Sequence, residues 1–78
     1  MKNITEFFVV GVDFPLPIPT PPLYWTSGHF WDTGRETAKR FYNEFAAEKE
    51  AMGLKDANPG TQGIYYIEKI TVQRIEIK

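Results

Sequence analysis

His29 is the only histidine in the 78-residue chain, with Ser27 and Asp32 on either side of it. A Ser-His-Asp order can therefore be written down. A catalytic base needs its partners within hydrogen-bond reach in a pocket, however, and closeness along the chain does not supply that geometry. His29 is expected as an ordinary loop or strand residue beside aromatic rings. His29 with Asp32 gives two zinc-ligand types at i,i+3, where a site needs three or four convergent groups. Asp56 and Asn58 lack the spaced oxygen ligands of a calcium loop. The chain has no cysteine, which excludes thiolate metal sites and disulfide scaffolds. Gly28, Gly34, Gly60 and Gly63 match neither a P-loop nor a dinucleotide fingerprint. The acids Glu44, Glu48 and Glu50 read as a solvated helix exterior, or as an acidic patch for a basic partner. The expectation is a chain with no catalytic set, no metal and no cofactor.

Binding chemistry is the stronger theme. Six Phe, four Tyr and two Trp make 15% of the chain aromatic. Exposed rings on a sheet can stack bases, and Trp25, Trp31, Tyr65 and Tyr66 are the candidates. The electrostatic footprint for nucleic acid is missing. Nine Lys and Arg face ten Asp and Glu, a net charge of −1, so phosphate affinity should be weak. Pro19 to Pro22 satisfies P-x-x-P, a ligand pattern for aromatic-lined grooves. No Arg or Lys lies within residues 14–24, so packing on the protein's own rings is the preferred reading.

The elements that must position these residues follow from composition and period. Hydrophobic residues make up 42% and charged residues 24% of the sequence, values typical of a globular domain. Residues 4–14 are aromatic and β-branched with no proline, which predicts a strand. One face carries Ile4, Glu6, Phe8, Val10, Val12 and Phe14, the better core face; the other carries Phe7 and Val9. Residues 15–22 hold five of the six prolines, a spacing that no sheet or helix tolerates, so an extended Pro-rich arm is expected. Residues 23–31 predict a second strand with an irregularity at Gly28. Residues 33–52 predict an amphipathic helix. Thr33 and Glu36 would form its capping box, Ala38, Phe41, Tyr42, Phe45, Ala46 and Met52 its buried stripe, and Gly53 its terminator. Asn58-Pro59-Gly60 marks a turn within a loop over 54–63. Residues 64–77 predict a last strand. Its alternation slips phase, which calls for a bulge or for burial on both faces.

The order β, arm, β, α, β gives one small α+β domain over residues 1–78: a three-stranded, largely antiparallel sheet with one helix on one face. The other face is left to solvent, a partner or a second copy. No apolar run approaches the roughly 20 residues that span a bilayer. The first residues lack a basic segment followed by an apolar one, so a cytoplasmic chain without membrane contact is expected.

The strand Phe7-Phe8-Val9-Val10, the segment Thr33-Gly34-Arg35-Glu36-Thr37-Ala38-Lys39-Arg40-Phe41 and the closing strand Ile64 to Ile77 resemble small accessory proteins of bacteriophages and mobile elements. Anti-CRISPR proteins belong to that group. The resemblance implies a single domain that acts by binding and blocking. The functional expectation is a non-enzymatic protein–protein interaction module, an inhibitor or modulator of a host protein. Its docking residues would be Tyr24, Trp25, Phe30 and Trp31, presented with Pro19 and Pro22. A homo-oligomer built on the uncovered sheet face and a weak single-strand binding sheet are the alternatives.

Overall fold

The computed structural model describes residues 2–14, 21–60, 62–75 and 77. Its elements in chain order are β1 (Lys2–Asp13), β2 (Leu23–Trp25), β3 (Trp31–Asp32), a 3₁₀ turn (Arg35–Thr37), α1 (Glu44–Ala57) and β4 (Ile64–Ile75). The strands form one antiparallel sheet in the order β3-β2-β1-β4. The α+β class holds, with four strands in place of the expected three.

The extra strand comes from residues 23–31, which form a hairpin and not one irregular strand. Thr26 N–H donates to the Phe30 carbonyl at 3.0 Å and His29 N–H to the Thr26 carbonyl at 3.1 Å. His29 takes φ 62° at the bend. The Thr26 hydroxyl also donates to the Phe30 carbonyl, at 2.9 Å. Chain reversal at Ser27-Gly28 thus sets Trp25 directly opposite Trp31.

The helix also differs from expectation. It starts at Glu44, and the preceding segment follows the sheet. Thr33 does not cap it. Asp32 accepts the Thr33 N–H at 2.7 Å and the Thr37 hydroxyl at 3.0 Å, tying up a short 3₁₀ turn. Ala38 to Phe41 then run extended. Lys39 N–H donates to the Trp25 carbonyl, and Phe41 exchanges both backbone hydrogen bonds with Phe8. These sheet partners satisfy donors that a helix would have turned inward, so tertiary pairing overrides local propensity. Asn43 is the cap, its side chain accepting from Phe45 N–H at 2.8 Å and Ala46 N–H at 3.3 Å. Gly53 lies inside α1, which runs on to Ala57. Asn58-Pro59-Gly60 turns the chain as expected, with Gly60 at φ 91°.

Both faces of β1 are buried over its second half. On one face α1 lays Ala47 and Ala51 over Val10, Trp25 and Phe41, with Phe8, Trp31, Leu54 and Ile67 around them. Two alanines at i,i+4 let the helix approach closely. On the other face Phe7, Val9, Tyr24 and Ala38 form a second cluster with Ile70. The face expected to lie open is therefore partly closed by the chain's own segment 35–38. The first half of β1 is different: Ile4, Thr5 and Glu6 are exposed.

β1 and β4 pair without a bulge from Lys2 opposite Ile75 to Asp13 opposite Ile64. The phase slip in β4 is absorbed along its length. Tyr65 to Glu68 are half-buried on both faces, and Thr71 to Ile75 are exposed on both. Of the Pro-rich arm, residues 15–20 lie outside the described residues.

Candidate interaction surface

The structure places the rings differently from the expected docking set. Tyr24 and Trp25 are buried in the two core clusters. Trp31 is half-buried, packed on Trp25 at a centroid distance of 5.1 Å and edge-on to Tyr65 at 6.0 Å. Phe30 is 55% exposed. Pro22 is half-buried beside Tyr24 in a shallow depression that Gly34 and Arg35 also line. Pro19 lies outside the described residues. The structure therefore brings Trp25 and Trp31 together as packing partners and leaves Phe30 as the member of the set with a solvent-facing ring.

Other apolar side chains face solvent instead. Phe45 is 72% and Met52 63% exposed. They stand seven residues apart on α1, so two turns bring them onto one stripe. Ala47 and Ala51, the buried residues of the helix, lie about half a turn away. Glu48, Lys49, Gly53 and Asp56 border the Phe45–Met52 stripe and complete a shallow apolar depression. Sequence spacing placed Phe45 and Met52 in the buried stripe. The signal that would have found them is Asn43: a helix capped there buries the Ala47, Ala51, Leu54 face.

The opposite side of the sheet carries a polar cluster. The Arg35 Nε lies 2.7 Å from Glu68 Oε1 and 3.0 Å from the Tyr24 hydroxyl, and Nη2 donates to Glu68 Oε2 at 3.2 Å. The Tyr24 hydrogen bond, followed by the Glu68 charge, holds the guanidinium above its already high ordinary pKa. Burial, followed by the Tyr24 hydroxyl, pushes the Tyr66 phenol well above the ordinary tyrosine value. A guanidinium engaged by its own carboxylate has little charge to offer an anion, so the cluster reads as a clasp between β4 and the 3₁₀ turn. Cations also cover rings nearby: Arg40 sits 4.5 Å above Phe7 and Lys39 5.1 Å above Phe41.

His29 is exposed and edge-on to Trp25 at 6.0 Å. Among the described residues no hydrogen bond joins it to Ser27 or Asp32, whose carboxylate is turned to Thr33 and Thr37. No group of three or more His, Asp or Glu gathers among the described residues, and no helix among them is long and apolar enough to cross a membrane. Comparison with protein-family models, with curated proteins and with solved structures finds no match.

Proposed function

We propose that this chain is a non-enzymatic protein–protein interaction module that acts by steric blocking, and that it docks through the outer face of α1. The observation that supports this reading is the double-sided helix. Its small-residue face is already spent on the sheet, while Phe45 and Met52 project from the other side at 72% and 63% exposure. A large aromatic and a flexible thioether at i,i+7 are the anchors of helix-in-groove recognition. Glu48, Lys49 and Asp56 supply a polar rim. The partner is a protein with an apolar cleft wide enough for one helix. Phe30 and Trp31 would lie outside this contact.

The test compares capture by the wild type, by Phe45→Ala with Met52→Ala, and by Phe30→Ala. The first two positions are exposed, so the double variant should keep its unfolding free energy within about 0.5 kcal/mol. It should lose the captured partner, as anchors typically cost ~2 kcal/mol or more on truncation. Phe30→Ala should retain it. A partner held equally by all three would reject the α1 surface.

A further inference from the structure

β4 is the outer strand of the sheet, and among the described residues nothing pairs with its far side. The direction of its free backbone groups follows from β1. Phe8 exchanges both of its backbone hydrogen bonds with Phe41, at 2.6 and 2.8 Å. These point away from β4, so Phe8 and Lys69 form a non-hydrogen-bonded pair. Phe7 and Val9 then bond to Ile70 and Glu68, and the odd-numbered residues of β4 turn N–H and C=O outward. Tyr65, Ile67, Lys69, Thr71, Gln73 and Ile75 form that open row. No proline or bulge interrupts it, and such an edge is a template for another strand.

We infer that the open edge of β4 pairs antiparallel with β4 of a second copy, with Thr71 opposite Thr71. A two-fold axis through the sheet keeps each residue on its own face, so allowed registers differ by steps of two. Centred on Thr71, the pairing sets Glu68 against Arg74, Ile70 against Val72 and Ile67 against Ile75, each twice by symmetry. Threonine pairs and opposite charges are favourable cross-strand neighbours; Glu68 keeps Arg35 on this face, and Arg74 of the second copy joins it on a carboxylate that has lone pairs for both. A centre at Ile70 puts Glu68 against Val72 and Arg74 against Tyr66. A centre at Val72 puts Arg74 against Ile70, and a centre at Lys69 opposes lysine to itself. Charge and apolarity thus select one register. It aligns five pairs of outward residues, hence about ten ladder hydrogen bonds, the number an ordinary protein interface carries.

The shape of the molecule supplies a second reason. N-terminal to Phe8, β1 has no partner but β4 among the described residues. The two strand ends form a ribbon with Ile4, Val72 and Ile75 exposed. A lone two-stranded ribbon is marginal in water. In the proposed dimer each ribbon lies along residues 67–71 of the second copy. The outer face of α1 takes no part, so the dimer stands or falls separately from the docking surface proposed above.

Sedimentation at micromolar concentrations should show a monomer–dimer equilibrium. Arg74→Glu sets carboxylates opposite each other twice and should raise the dissociation constant about tenfold or more. Because the chain has no cysteine, Thr71→Cys introduces a single thiol. In a hydrogen-bonded pair it faces its copy at a Cα separation of ~5.5 Å, within disulfide range. Oxidation should link Thr71→Cys chains and leave Lys69→Cys and Gln73→Cys chains unlinked. Both positions are exposed, and far-ultraviolet circular dichroism checks that each variant stays folded. A monomer at every concentration, or a dimer that links equally at all three positions and ignores Arg74→Glu, would overturn the proposal.

Discussion

Tyr66 stands opposite Gly11, and its ring fills the space a β-carbon would need: a Cβ at Gly11 comes within 2.5 Å of Tyr66 Cζ. The glycine is there for room, since its backbone is ordinary strand. Burial of the phenol, with the Tyr24 hydroxyl beside it, favours the neutral form and raises the pKa from its ordinary 10.0. The folded state therefore holds this proton more tightly than the unfolded chain. The resulting stabilisation is fully present below pH 10.0 and is lost as pH rises from there through the raised value. Urea midpoints measured across that range should fall for the wild type and fall less steeply for Tyr66→Phe. Equal slopes would show that the phenol is not held neutral by its surroundings. Trp25 gives a contrasting lesson at the same scale. It belongs to the expected docking set with Tyr24, Phe30 and Trp31, yet it is 9% exposed, and among the described residues its indole N–H is a buried donor without an acceptor. A ring in that position works as core, whatever its type suggests.

At the scale of elements, the strands were legible and the start of the helix was not. Residues 4–14 and 64–77 announce themselves by β-branched and aromatic content, and both fold as strands with those approximate bounds. Ala38, Phe41 and Phe45 show three–four spacing, but the spacing spans two structures. Ala38 and Phe41 alternate across an extended segment, one in each core cluster, while Phe45 opens the helix. Period alone cannot separate these when both place the same residues inside. The local Thr33–Glu36 signature was equally ambiguous, because Asp32 and Thr37 use the same stretch for a 3₁₀ turn. Asn43 settles the assignment by two hydrogen bonds. Asn43→Ala should destabilise the domain by about 0.5–2 kcal/mol, and Thr33→Ala should leave it within about 0.5 kcal/mol. Chemical denaturation of the two variants beside the wild type decides this. A larger loss at Thr33 would restore the earlier helix start. The candidate surface was hidden for the same reason: with Ala38 and Phe41 in the extended segment, Ala47 and Ala51 set the packed side of the helix, and Phe45 and Met52 fall on the other.

At the scale of the whole molecule, the fold is uneven along its 52 Å axis. One end is layered, with α1 over one sheet face and the Tyr24–Arg35–Glu68 clasp on the other. The far end is the β1–β4 ribbon, whose residues from Ile4 to Glu6 and Thr71 to Ile75 are exposed. The pairing register is continuous through both regions, so local stability differs through what packs on the ladder and not through the ladder itself. Hydrogen exchange of β4 reads this directly. The amides of Tyr66, Glu68, Val72 and Arg74 all point at β1 by the pattern derived from Phe8. In dilute protein, the first two open only with the packed body, and the last two open whenever the ribbon frays. Exchange at Val72 and Arg74 should therefore be faster by about a hundredfold or more, the span between sub-global and near-terminal opening. Raising the concentration should slow exchange at Val72 and Arg74 and add protection at Lys69, Thr71 and Gln73, whose amides face outward. Uniform protection along β4 in dilute protein would mean that the ribbon is supported without a second copy, and the reason for pairing edge to edge would be gone.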